Sequence, residues 1–130
     1  MKPLKKVLHV EDDPSIRTIA RLAIEVVGGL TLLSCEDGRS ALVQVEEFSP
    51  DLILLDVMLP DMDGPAILKA LQAQMDLAQT PVLFMTAKVH KTELNRFQAL
   101  GAFGVIPKPF DPMTLAQTLR EHHKRFHSGC

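Results

Sequence analysis

The sequence predicts an α/β domain: a doubly wound, five-stranded parallel sheet flanked by five helices. Three observations point to that class. Five short apolar runs alternate with longer segments whose apolar residues recur at helical spacing, the signature of repeated strand-helix units. The runs read as strands buried on both faces, because right-handed crossovers put helices on both sides of a parallel sheet. The first run is followed by Glu11-Asp12-Asp13, the next two of interest end in Asp56 and Thr86, and the last stops just before Lys108. Sites in such sheets lie beyond the carboxyl ends of the strands, where the winding reverses.

The strands are expected at 6–10, 31–35, 52–55, 82–85 and 103–106. After the first, Asp13-Pro14 supplies an N-cap and a first-turn proline, and Ile16, Ile19, Ala20, Ala23, Ile24 and Val27 recur at helix spacing until Gly28-Gly29. A second helix opens near Asp37-Gly38, carries Ala41, Leu42 and Val45, and stops before Ser49-Pro50. The third begins at Gly64-Pro65 with Ile67, Leu68 and Leu71. The fourth, roughly 90–100, carries Leu94, Phe97 and Leu100 and ends at Gly101. The fifth is expected to start with Asp111 as cap and Pro112 behind it, with Leu115, Leu119, His122 and Phe126 on one face.

At 130 residues, 46% hydrophobic and 23% charged, the chain fits one domain with one core, taken as 1–130 with a core of about 5–125. A net charge of -2 without a long basic run argues against a nucleic-acid surface. The apolar stretch behind the basic N-terminus stops at Glu11, too short for a signal peptide or a bilayer span, so a cytoplasmic protein without membrane contact is expected. Cys35 and Cys130 are expected as reduced thiols. Only the tail 127–130 reads as a candidate for disorder.

If neighbouring strands bring Asp12 and Asp56 together, two carboxylates about 4 Å apart repel by roughly 4 kcal/mol at an effective dielectric of 20. A divalent cation with oxygen preference, magnesium or manganese, would relieve that. A phosphate would be repelled by this acidic mouth alone, so metal and phosphoryl group are expected to bind as partners. The turn after the first strand reads Glu-Asp-Asp-Pro-Ser, unlike the glycine-rich turn that offers bare amides to nucleotide phosphates. A carboxylate can attack phosphorus and form an acyl phosphate once the transferred oxygens are neutralised. Asp56 is the expected nucleophile and phosphoacceptor, with Lys108 pairing one phosphate oxygen and the Thr86 hydroxyl bonding another. Taken singly, each has a plainer role: a strand-end Thr is more often a cap, a strand-end Lys is usually solvated, and an acidic run usually complements a helix dipole. Asp13 is assigned to that capping role. Four such ends in one mouth favour function.

These residues resemble a two-component response regulator receiver domain of the single-domain, chemotaxis-receiver-like kind, over about residues 5–125. The match rests on Val10-Glu11-Asp12-Asp13-Pro14, on Leu55-Asp56-Val57-Met58-Leu59-Pro60-Asp61-Met62-Asp63-Gly64, on Thr86-Ala87 and on Lys108-Pro109-Phe110. Spacing agrees too: Asp56 follows Asp12 by 44 residues, and Thr86 and Lys108 follow Asp56 by 30 and 52. The resemblance implies a flavodoxin-like sheet of order 2-1-3-4-5, an order named for such a receiver among doubly wound folds. It implies that Asp56 accepts a phosphoryl group from a sensor histidine kinase or histidine phosphotransfer protein. Magnesium would be held by Asp12, Asp56 and the backbone carbonyl of Met58, with Glu11 acting through water. Thr86 and Lys108 would contact the phosphoryl group and Ala87 would leave room for it. The Lys108-Pro109 bond is expected cis. A downstream protein target, a monomer or weak dimer, and at most slow self-phosphorylation and self-dephosphorylation follow from the same likeness.

One position departs from the family. Receivers often carry an aromatic ring three residues before the lysine, where Val105 stands here, and a valine has no ring to swing. Switching is then expected to run through backbone and helix movement in the 86–110 region, which includes Thr86, Ala87, Val105 and Pro109. Met58 and Lys88 flank the acceptor at the positions where the family tunes dephosphorylation.

His9 is unexpected in a strand and is read as a buried histidine bonded to backbone. His122, His123 and His127 could suggest a helical metal site, since 123 and 127 are four apart, but a solvated, frayed helix end is the expected reading. Two other functions share the residues. An aspartyl-nucleophile phosphatase usually has a second Asp two residues after the nucleophile, where Met58 stands. A receiver-like interaction module would work without phosphate, and the complete acidic, hydroxyl and lysine set weighs against it. A flavin protein would need a phosphate-cradling loop and a stacking Trp or Tyr, and the chain has neither Trp nor Tyr.

Overall fold

A computed structural model of the chain describes residues 2–87 and 90–129. Five parallel strands, β1 (Lys6–Val10), β2 (Thr31–Cys35), β3 (Leu52–Asp56), β4 (Val82–Thr86) and β5 (Gly104–Pro107), form one sheet in the order β2-β1-β3-β4-β5. The helices are α1 (Pro14–Arg21), which runs on into a π-helical turn (Leu22–Val27), α2 (Gly38–Phe48), α3 (Gly64–Gln74), α4 (Lys91–Leu100) and α5 (Leu115–His127).

One face of the sheet packs Val7, Leu52, Leu54, Leu83, Met85 and Ile106 against Ala20 of α1, Ala23 and Ile24 of its π-helical turn, and Leu115, Ala116 and Leu119 of α5. The other packs Leu8, Val10, Ile53, Leu55, Val82 and Phe84 against α2, α3 and α4. Alternate residues of each strand therefore serve opposite cores, which is why β3 and β4 read as unbroken apolar runs. The edge strands differ from the expectation of burial on both faces: β2 and β5 are only partly buried, having one neighbour each.

The register positions the site. Val10 lies opposite Leu55, Asp56 opposite Met85, and Thr86 opposite Pro107. Residues at or just past each strand end therefore share one edge.

Several helix details correct the sequence reading. The first helix departs from α-winding near its end, where Gly28 N–H donates to Ala23 O, a five-residue step, before Gly29 takes φ +68°. Ala20, Ala23 and Ile24 are buried as expected, whereas Ile19 and Val27 are exposed. The fifth helix starts at Leu115, later than Pro112: Asp111 Oδ1 accepts from Met113 N–H, so residues 112–114 form a turn that uses the expected cap before the helix begins. Its core face is Leu115, Ala116, Leu119 and His123, while His122 and Phe126 lie beside Phe103. In α4 only Phe97 is buried; Leu100 is exposed, with its carbonyl accepting from Gln72 Nε2 at 3.0 Å. His127 belongs to α5 rather than to a disordered tail, and Cys130 lies outside the described residues. Among the described residues no helix is long and apolar enough to cross a membrane, and Cys35 is a buried free thiol.

Candidate functional site

The carboxyl edge of β1, β3 and β4 gathers the acidic, hydroxyl and lysine residues singled out in the sequence. Glu11 and Asp56 are almost fully buried, at 1% and 5% exposure, Thr86 is buried at 8%, and Asp12 is exposed. One carboxylate oxygen each from Glu11, Asp12 and Asp56 lies within 4.8 Å of the others.

Lys108 neutralises the two buried acids. Its Nζ is 2.8 Å from Glu11 Oε1 and 3.0 Å from Asp56 Oδ2. Desolvation pulls the ammonium down, yet the bonds to Glu11 and Asp56 outweigh it and hold Lys108 above its ordinary range. Burial pushes the Glu11 carboxyl up to about 7, and Asp56 adds to the push while Lys108 and the Asp13 N–H oppose it. Three carboxylates around one ammonium leave an excess of negative charge, the condition under which a hard divalent cation binds. The oxygen donor set fits magnesium or manganese.

Local chemistry fixes each group. Asp13 caps α1, accepting from Ser15 N–H at 2.8 Å, and Pro14 follows it without needing a donor. Glu11 Oε2 accepts from Asp13 N–H at 3.2 Å, which turns the acid back toward the strand ends. Asp56 Oδ1 accepts from Met58 N–H at 3.3 Å, while the Met58 side chain points to solvent. Gly64 N–H donates to Val57 O at 2.9 Å, and a Cβ on Gly64 would stand 3.0 Å from Asp56 O and 3.1 Å from Val57 Cα. A side chain there would displace the loop that follows Asp56. Lys108 N–H donates to Thr86 O at 2.9 Å, tying the hydroxyl-bearing strand end to the lysine, and the Lys108-Pro109 bond is cis. Ala87, Lys108 and Pro109 also line an apolar cavity of about 360 Å³ with Ile16 and Ile19. Val105 lies in β5 opposite Phe84, half-buried against the α2–α4 side. Lys88 lies outside the described residues.

Two supporting residues were missed in the sequence. Arg17 Nη1 donates to Glu11 O and Asp12 O, both at 2.9 Å, holding the acidic turn by its backbone. Its position one turn after Pro14 was the available signal. Asp61 accepts from Gly38 N–H at 3.2 Å and Arg39 N–H at 3.1 Å, joining the loop after Asp56 to the start of α2. No local pattern announces that partner 23 residues away.

The histidine expectations are corrected. His9 is fully buried, but both ring nitrogens lack a hydrogen-bond partner among the described residues, so the backbone bond foreseen for it is absent there. Its neighbour across the strands, Ser34, likewise has a buried, unpartnered Oγ. Burial first, and then the Lys108 charge, lower the His9 imidazole to about 4. His123 is 4% exposed rather than solvated, because the helix turns it onto the core side.

Comparison with known proteins agrees with this geometry. Residues 7–120 match the response regulator receiver domain family. The chain is similar to the alkaline phosphatase synthesis transcriptional regulatory protein PhoP of Bacillus subtilis, 39% identical over 108 residues that make up 83% of this chain and 44% of that protein. It is also similar to the transcriptional regulatory protein CseB of Streptomyces coelicolor, 35% identical over 124 residues, 95% of this chain and 51% of the relative. The chain thus spans about half the length of the curated relatives it matches. Among solved structures, chemotaxis response regulator CheY4 of Vibrio cholerae superposes with a TM-score of 0.84 at 34% identity, covering 92% of this chain and 98% of that one. With its sheet order, its acidic strand-end cluster and this match, the chain belongs to the response regulator receiver domain family.

Proposed function

We propose that this chain is a phosphoacceptor in two-component signalling, with Asp56 as the phosphorylated residue. The observation that carries the reading is the bridge from Lys108 to both Glu11 and Asp56 inside a three-carboxylate cluster. A carboxylate oxygen of Asp56 would attack the phosphorus of a phosphohistidine on a sensor kinase or phosphotransfer protein. The O–P bond forms as the P–N bond breaks, and the imidazole nitrogen keeps the electron pair. Asp12, Asp56 and the Met58 carbonyl would hold magnesium or manganese, with Glu11 acting through water, and the ion when bound supplies charge neutralisation to the transferred oxygens. Lys108 would exchange a carboxylate for a phosphoryl oxygen, and the Thr86 hydroxyl would bond a second one.

The added charge, roughly -1.5 to -2, together with three acceptor oxygens, draws Thr86 and Lys108 toward Asp56. Because Lys108 N–H is bonded to Thr86 O, both strand ends move as one, and Ala87, Val105 and Pro109 move with them. The expected output is a changed surface around α4 and β5, read by a downstream protein target. In this reading the chain acts as a receiver in the cytoplasm, as a monomer or weak dimer. Turnover of an external substrate is not part of it.

Incubation with acetyl phosphate and Mg2+ should add one phosphoryl mass to the chain and none to Asp56→Asn. Equal labelling of the Asp56→Asn protein would remove Asp56 from the role.

A further inference from the structure

The pole opposite the acidic cluster carries two histidines in contact. His123 and His127 sit one helical turn apart on α5, and their rings approach to 4.4 Å between centroids with their planes at 62°. His123 is 4% exposed, and burial lowers its imidazole from the ordinary value, with His127 adding to the shift and the Asp51 charge opposing it. Asp51 precedes β3; its Oδ2 accepts from Lys5 and Lys6 N–H at 3.1 and 2.9 Å, leaving Oδ1 with no bond among the described residues. His127 and Asp51 border, with Lys2, an open cavity of about 370 Å³ beside His123 of the same helix.

We propose that His123 and His127 form a binding site for a late first-row divalent cation such as Zn2+ or Ni2+, at the amino-terminal edge of the sheet, with the Asp51 carboxylate supplying charge beside it. Neutral imidazole suits these ions, and two histidines at i and i+4 on one helix present nitrogens to a common point after rotation about the Cβ–Cγ bonds. Water from the cavity completes the coordination. Magnesium avoids nitrogen donors, so it can fill the acidic cluster in excess without competing for the imidazoles. His122 takes no part: its ring lies beside Phe103, and its Nδ1 is 2.8 Å from Arg125 Nη2. Occupancy would fasten the last turn of α5, which the Ser128 N–H and hydroxyl, both donating to Lys124 O, also close.

The test is a Zn2+ titration of the full chain carrying Cys130→Ser, with Mg2+ in large excess to occupy the acidic cluster, followed by long-range 1H-15N NMR of the imidazoles. The ring nitrogens of His123 and His127 should shift together and saturate at one equivalent. His127→Gln should weaken Zn2+ at least tenfold, while Asp12→Asn leaves the affinity unchanged. Equal affinity for the His127→Gln protein, or shifts confined to His9, His90 or His122, would overturn the site.

Discussion

Helices α3 and α4 are neighbours of similar length, yet they are held very differently. α3 buries Gly64, Ile67, Leu68 and Leu71, is capped by Asp63 through a 2.8 Å bond to Ala66 N–H, and starts with a proline in its first turn. The loop before it is bound at both ends, by Gly64 to Val57 and by Asp61 to α2. α4 buries Phe97 alone and has no side-chain cap at His90. The difference teaches a division of labour. Asp56, the proposed acceptor, is followed by a fixed loop, whereas the element that follows Thr86 can be displaced with little loss of packing, as local stability scales with buried contact.

The largest expected effect breaks α4 loose. Phe97 packs edge-on against Phe84 with centroids 4.8 Å apart, so Phe97→Ala should destabilise the chain by about 3–5 kcal/mol in urea unfolding. Hydrogen exchange in α4 should then rise well above that in α3. Equal exchange in the two helices would erase the contrast.

The Asp56 side has its own weak point, since His9 in β1 is buried without a partner among the described residues. His9→Leu should stabilise the chain by about 1–3 kcal/mol at neutral pH by removing unpaired polar atoms. Folding lowers His9 from 6.5 to about 4, so below pH 6.5 the unfolded chain binds a proton that the folded one refuses. Stability from this residue is therefore intact above 6.5 and is lost as pH falls toward 4. Glu11 acts oppositely: raised from 4.5 to about 7, it favours the folded chain at low pH and loses that contribution as pH rises through 7. Urea unfolding should show a larger gain from His9→Leu at pH 5 than at pH 7. A gain independent of pH would mean that His9 is hydrogen-bonded in solution.

The smallest effects come from the caps. Asp63→Ala should lower stability by about 1 kcal/mol, and His90→Asp, which gives α4 the cap it lacks, should raise it by about 0.5 kcal/mol. If His90→Asp also slows the α4 response to phosphorylation, that helix is the moving part.

Much of this was legible in the sequence for physical reasons. Strands such as Leu52–Asp56 announce themselves by uninterrupted apolar residues, because both faces of an inner parallel strand are covered. The site was legible because the register of a parallel sheet turns strand ends into neighbours, so Glu11, Asp56, Thr86 and Lys108 needed only their positions to be brought together. What stayed hidden depends on long-range choices. Whether Leu100 faces the core or solvent is decided by how α4 lies on the sheet, and periodicity alone cannot supply that. The start of α5 was misplaced because Asp111 bonds a turn, and cap residues serve turns and helices alike. His9 was misread because a strand pattern shows burial but not whether a polar partner stands opposite.

The central claim is that charge added at Asp56 is transmitted toward α4 and β5 while α3 stays fixed. Amide NMR of the chain with and without beryllofluoride and Mg2+ tests it most directly. The account predicts shifts centred on Asp56 and Thr86 that spread through α4 and β5 and leave 65–74 nearly unmoved. Shifts that run through α3 and spare α4, or no change on adding the reagent, would contradict it.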